Sequence, residues 1–298
     1  MVGPRAVYGT DPSDVEWEVP APLVPPPRPG GRPPRHPRRE ILNALSYRLR
    51  AGCTWRLLPH DFPPYRTIYH YWRTWRIEDR WEAILARLRE RERTAQDRDP
   101  TPSAEIVDSR NVEGTERGGW HGYDGGKKVS GVKRHLLVDT LGPVPAVCIG
   151  PANVDDRDGA EVLLARAADR LPRLRYLWAD QGYRGRDFAD GIRETHGITV
   201  GVVQRRDGGF RSTWAPAGAP PREVPVFAVV PRRWVVERTF AWPGRYRRLS
   251  KDYQSGCTAH DAESETRFRA GMSCGPQPAG SRCGRLQRRE RTQRGRFA

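Results

Sequence analysis

The spacing of apolar residues changes character once, near residue 100, and no other feature constrains the architecture as much. Before that point apolar side chains recur at helical intervals. In REILNALSYRLRAG, Ile41, Leu45 and Leu49 fall at i, i+4 and i+8, one stripe of a helix, and Gly52 supplies a stop. After a break, CTWRLLPHDFPP, helical spacing resumes through YRTIYHYWRTWRIEDRWEAILARLRERER. There Ile68, Trp72 and Trp75 share one face, and Arg66, His70 and Arg73 share another. Two or three short helices with a tight break are the pattern of a helix-turn-helix unit. A bundle with a solvated basic face has the same spacing, and the basic character of the chain favours DNA contact.

The polar stretch TAQDRDPTPSA (94–104) marks a boundary. Beyond it EIVDSRNV (105–112) reads as a strand and GTERGGWHGYDGGKK (114–128) as a glycine-rich basic loop. Segments 132–142 and 143–153 read as two strands joined by a tight turn. A helix over 158–171 capped by Asp158, a strand over 175–180, a helix over 184–197 and a strand over 198–205 follow. After the apolar run 226–230, a last helix over 231–250 opens at Pro231 and is interrupted at Pro243. This order predicts an α/β layer in which an antiparallel hairpin feeds a parallel part.

Composition narrows the function. At 298 residues the chain has room for one or two domains, and its net charge is 52 − 36 = +16. Such an excess points to a polyanion, most often nucleic acid. There is no run of 18 apolar residues and no basic-then-apolar leader, so a membrane span and a signal peptide are not expected. Five scattered cysteines without a C-x-x-C argue against a disulfide framework and against structural zinc, and favour a cytoplasmic protein. Many of the 28 prolines crowd into PAPLVPPPRPGGRPPRHP (20–37), which cannot form a helix or a central strand and reads as an extended cationic arm.

Most acidic residues have ordinary explanations. Asp155, Asp156 and Asp158 suit a helix cap, and Asp139 a turn. Three stand apart: Asp108 near the end of the first strand, Asp180 ending YLWAD, and Glu237 amid apolar residues of the last helix. Carboxylates in such places require a cationic partner, either arginine or a metal. Oxygen donors without histidine or cysteine suit Mg²⁺ or Mn²⁺, and paired ions serve phosphoryl transfer. The three are far apart along the chain, so only the fold could unite them. Arg233 lies one helical turn before Glu237, on the same face, where it could orient the carboxylate or meet a phosphate. Lys127, Lys128, Lys133, Arg134 and His135 form a basic band suited to positioning phosphates. Trp120, His121 and Tyr123 could stack on a DNA end or pack in the core, and Gly182 and Tyr183 shape the turn after Asp180.

These segments, taken in order, carry a resemblance. GGRPPRH, LRAGCTWRLLPHDFPP and TIYHYWRTW resemble the N-terminal region of the DDE transposases of bacterial insertion sequences, of the insertion-sequence-five group. IVDSRNV, KRHLLVDTLG, PANVDDRDGA, ADQGYRG and PRRWVVERTFAWPGRYRRLSKDY resemble the catalytic core of that group. The resemblance runs from about Pro12 to Tyr253. It implies an RNase H-like mixed sheet with flanking helices, preceded by a small helical DNA-binding domain. It implies catalytic, metal-holding roles for Asp108, Asp180 and Glu237, with two Mg²⁺ ions or Mn²⁺ in their place. The implied partners are double-stranded DNA, as terminal inverted repeats and target, and a second copy in a homodimer. The implied reaction is hydrolysis at the element ends, then attack of the freed 3′-OH on target DNA. A DNA-binding repressor without catalysis and a Mg²⁺-dependent nuclease are the alternatives.

The expected organisation is an arm over 1–37, a helical DNA-binding domain over 38–97, a catalytic domain over 105–253 and a tail over 254–298. That tail lacks apolar periodicity where the family continues with an amphipathic helix. It reads as out-of-frame translation, which could leave this copy unstable or inactive; the alternative is a genuine disordered basic tail that binds DNA non-specifically.

Overall fold

The computed structural model describes residues 5–26, 30, 35–115, 121–203 and 233–252. The expected apolar run at 226–230 and the tail at 254–298 lie outside these residues. No helix among the described residues is long and apolar enough to cross a membrane.

The N-terminal unit is helical. It comprises α1 (Asp14–Glu18), α2 (Arg38–Ala51), α3 (Tyr65–Ile77) and α4 (Arg80–Thr94). Gly52 ends α2 in the left-handed region at φ 78°, and its N–H donates to the Arg48 carbonyl. The tight break falls between α3 and α4, at Asp79, which adopts φ 53°. The link between α2 and α3 runs from 52 to 64 and holds a 3-10 turn. Ile41, Leu45, Ile68, Trp72 and Trp75 are buried together, as the helical spacing requires.

The arm is not extended throughout. Ser13 and Glu16 form a reciprocal cap that nucleates α1, and Val24 is buried in the helical core. Tyr8 stacks on Phe62 at 5.1 Å, and Arg5 binds Glu40 at 2.6 Å and Asp11 at 2.8 Å. Proline content excludes long helices but leaves these short turns and aromatic contacts open.

The second unit is built on one sheet: β1 (Ala104–Glu113), β2 (Gly122–Asp124), β3 (Val129–Asp139), β4 (Ala146–Pro151), β5 (Tyr176–Ala179) and β6 (Thr199–Val202). β3 lies antiparallel between β1 and β4, while β1, β5 and β6 run parallel. β2 adds to the start of β3, inside the segment that reads as a glycine-rich loop. The mixed order β4-β3-β1-β5-β6 is the expected RNase H-like arrangement. Helix α5 (Asp156–Ala167) packs on one face; its cap is Asp155, slightly earlier than the Asp158 of the sequence reading. Helix α6 (Arg186–His196) joins β5 to β6.

Side-chain alternation then fixes what each face carries. Ser109 of β1 reaches Asp156 of α5, so Glu105, Val107, Ser109 and Asn111 face α5. Ile106, Asp108 and Arg110 face the other way, together with their β3 partners Val138, Leu136 and Arg134. Helices α7 (Arg233–Gly244) and α8 (Arg247–Ser250) cover that second face. Leu136, Thr239, Phe240 and Leu249 line one cleft there, and Arg134 donates to the Leu249 carbonyl at 2.8 Å. Pro243 closes α7 one residue before its end, so the helix stops and turns.

The two units are joined by buried charge. Arg93 of α4 binds Asp139 at the end of β3 at 2.6 Å and donates to the Asp99 carbonyl at 2.6 Å. Glu105 is fully buried nearby. Desolvation first, and Asp139 second, push its carboxyl well above the ordinary range, against Arg89 and Arg93. A carboxyl raised by folding holds its proton in the native state, so native stability falls as pH rises above about 4.5. Glu105→Gln removes that penalty. We expect it to melt about 3 °C or more above the parent at pH 8 and to converge on it near pH 4.5 in calorimetry. A gap independent of pH would show that Glu105 is ionised in the native state.

Candidate active site

Strand register brings the first two candidate carboxylates together. β1 pairs β5 as Ala104↔Tyr176, Glu105↔Leu177 and Ile106↔Trp178, a constant offset. The same offset carries Asp108 onto Asp180. Asp180 continues the extended backbone of β5 at φ −83°, ψ −176°. Neighbouring strands lie about 4.8 Å apart and in-register side chains share a face, so the two carboxylates are neighbours. Both are half-buried. Asp108 sits mid-strand, not at the strand end. β1 runs on to Glu113 because it keeps pairing with β3, whereas β5 stops at Ala179.

Local hydrogen bonds orient this pair. Asp180 Oδ1 accepts from the Gly182 N–H at 2.9 Å, and Asp108 Oδ1 from the Ser109 N–H at 2.7 Å. A side chain at 182 would lie 3.1 Å from Asp180 Oδ1 and 3.5 Å from Asp156 Oδ2, so glycine lets these two acids approach. The turn Gln181–Tyr183 carries Tyr183 beneath them. Burial first, then Asp108, Asp156 and Asp180, push its phenol well above the ordinary value.

Glu237 is placed differently. It lies on α7, on the face Asp108 projects from, but on the exposed side of the helix; Val235, Val236, Thr239 and Phe240 point inward. Apolar neighbours in sequence do not bury it, because the helical period turns position 237 outward. Among the described residues no three histidines, cysteines or acids cluster tightly enough to hold a metal ion. Asp108 and Asp180 nevertheless fit a hard divalent cation, which characteristically binds one or two carboxylates plus substrate phosphate.

Asp156 is the acid that sequence reasoning misses, because a helix cap explains it. It is half-buried; Ser109 Oγ donates to it at 2.7 Å and Lys133 Nζ binds it at 2.9 Å. Lys133 also donates to the Val154 carbonyl at 2.7 Å and lies 3.6 Å from Asp124. Asp124, bonded to Asn111 and the N–H groups of Lys127 and Gly126, is held down to about 2. Sequence adjacency cannot show such a network, because it links four separate elements.

The basic band divides accordingly. Lys127 and Lys128 are exposed and remain candidates for phosphate contact. Lys133 and Arg134, expected in the basic band, are buried instead, the first bound to Asp156 and the second to the α8 backbone. Desolvation lowers Arg134 to about 10. His135 is also buried, against Gly159, and desolvation lowers it to about 4, so it is neutral. Arg66, His70 and Arg73 are exposed on α3, opposite its buried stripe. Arg233 opens α7. Tyr123 is exposed, His121 lies 3.3 Å from Asp252, and Trp120 is outside the described residues.

The sheet has the strand order of an RNase H-like fold, with Asp108 on β1 and Asp180 just past the end of the neighbouring β5. Comparison with known families agrees. A family described as "Putative transposase of IS4/5 family" matches residues 13–85, and the "Transposase DDE domain" matches residues 99–259, more than half of the chain. The chain belongs to the DDE transposases, enzymes of phosphoryl transfer on DNA, whose catalytic domains typically use a divalent metal. No curated protein matches it.

The burial pattern separates a buried lysine from two exposed ones. Lys133→Met removes the cation paired with the half-buried Asp156, and we expect denaturation to report a loss of about 3 kcal/mol. Lys127→Ala with Lys128→Ala is expected to leave stability unchanged and to lower the salt dependence of DNA binding by about two ions. The reverse outcome would return Lys133 to the DNA surface.

Proposed function

We propose that Asp108 and Asp180, joined by Glu237 when DNA is engaged, hold two Mg²⁺ ions, or Mn²⁺ in their place. In this reading they carry out hydrolysis at the ends of an insertion element and then strand transfer. The register of β1 on β5 is the observation that supports this most: continued two residues past Ile106↔Trp178, it sets Asp108 beside Asp180, just beyond the end of β5. When bound, a divalent cation polarises the phosphodiester and acidifies the attacking water or hydroxyl. The chain supplies the rest. Asp108 and Asp180 present hard oxygens held by backbone N–H groups. Lys127, Lys128 and Arg233 meet phosphates near the site, while Arg66, His70 and Arg73 on α3 hold the duplex.

In the first step the oxygen of water bonds to phosphorus and the bond to the 3′ oxygen breaks, leaving a 3′-OH at the element end. In the second step that hydroxyl attacks a target phosphodiester and displaces the target 3′ oxygen. Each chain carries one such carboxylate pair, and an element has two ends. A homodimer with one copy per end, acting on double-stranded DNA in a bacterial cytoplasm, follows from this reading. We read residues 254–298 as out-of-frame translation; the domain match ends at 259, close to where apolar periodicity is lost. Sequencing the gene is expected to find an apolar helix encoded in another frame after Tyr253, and its absence would make the tail native.

Asp180→Asn separates binding from chemistry. With a duplex bearing the sequence that flanks the gene, and a frame-restored chain, cleavage in Mg²⁺ is expected to vanish. Binding in a gel-shift assay is expected to stay within about twofold. Undiminished cleavage would refute the site. Inverted-repeat binding without cleavage by the parent would favour the repressor reading.

A further inference from the structure

Tyr183 is only 1% exposed, and its ring packs on Phe188 with centroids 6.0 Å apart. The ring therefore has an ordinary apolar role. Its hydroxyl does not. It lies in the field of Asp108, Asp156 and Asp180 and beside Ser109, yet makes no hydrogen bond of good geometry among the described residues. A buried hydroxyl left in this way costs about 1–3 kcal/mol. Phenylalanine would fill the same socket without that cost. Groups kept despite such a penalty concentrate where function requires them.

The surrounding acids show what the hydroxyl is for. Each has one oxygen anchored by the chain: Asp156 Oδ1 by Ser109 and Lys133, Asp180 Oδ1 by Gly182, and Asp108 Oδ1 by Ser109. Side-chain and backbone donors from β1, β3 and the 181–183 turn thus surround the acids, and the phenol is the buried donor of that turn without a partner among the described residues.

We propose that Tyr183 is a positioning residue: its phenol O–H donates to the Asp108–Asp180 pair once a scissile phosphate is engaged, and so fixes the orientation in which the carboxylates act. This rests on the active-site reading above. The turn after Asp180 is then more than a connection, because it delivers a rigid donor from beneath the pair. The ring sets the height of that donor, and Phe188 prevents it from swinging away.

The test is Tyr183→Phe in the frame-restored chain used above, compared with its frame-restored parent and with Asp180→Asn in the same chain. Three readouts are taken: melting without divalent cation, binding of the flanking-sequence duplex without divalent cation, and the nicking rate in saturating Mn²⁺. Tyr183→Phe is expected to melt at or above the parent temperature and to bind DNA within about twofold. It is expected to nick about tenfold or more slowly, through kcat and not through the DNA concentration at half-maximal rate. Nicking at the parent rate would overturn the inference and leave the active-site assignment intact. Melting several degrees lower, with nicking falling in proportion to folded protein, would show the hydroxyl to be structural and overturn it too. A folded parent that binds the duplex but does not nick would overturn the active-site reading itself. Undiminished nicking by Asp180→Asn would do the same.

Discussion

The parallel pairing of β1 with β5 is the constraint on which the rest depends. It converts a long separation in sequence into side-by-side placement, and it does so at the point where β5 ends and β1 continues. Open α/β sheets bind ligands beyond the carboxyl ends of their strands, where backbone N–H groups are no longer committed to the ladder. Asp180 stands at such an end, and the turn after it directs the Gly182 N–H onto that carboxylate. A shift of one residue in register would turn one of the two acids to the opposite face.

Charge inside the protein is arranged as paired layers. Lys133 neutralises Asp156 beneath the site, and Arg93 neutralises Asp139 where the helical unit meets the sheet. Neither pair is a gain in stability over a well-packed apolar substitute, but each is costly to break. The first keeps a fixed cation near the acids before substrate arrives. The second ties α4, and with it the exposed basic face of α3, to the strand that pairs with β1. The helical unit and the sheet are therefore one connected framework. A second connection runs from α2 to α8, where Arg50 lies over the Tyr246 ring at 5.2 Å.

Much of this is legible in the sequence because it is periodic. The stripe of Ile68, Trp72 and Trp75, the stop at Gly52, the change from antiparallel to parallel strands and the break at Pro243 all follow from local rules. Asp108 and Asp180 are visible as acids at strand positions, although their adjacency is not, since register between distant strands has no local signal. What local rules miss is burial across elements. Lys133, Arg134 and His135 read as a basic band, yet strand pairing on both sides of β3 buries all three. Asp156 reads as a cap because its partners, Ser109 and Lys133, come from β1 and β3. Glu237 reads as shielded by its sequence neighbours, where helical geometry exposes it.

The claim that organises all of this is that Asp108 and Asp180 act as one carboxylate pair toward a divalent cation. Anomalous diffraction from crystals of the chain grown with Mn²⁺ measures it directly. The account predicts an anomalous peak between the two carboxylates, within about 2.2 Å of an oxygen of each, and its loss in crystals of Asp180→Asn. A peak bound elsewhere, or one that ignores Asp180, would contradict it.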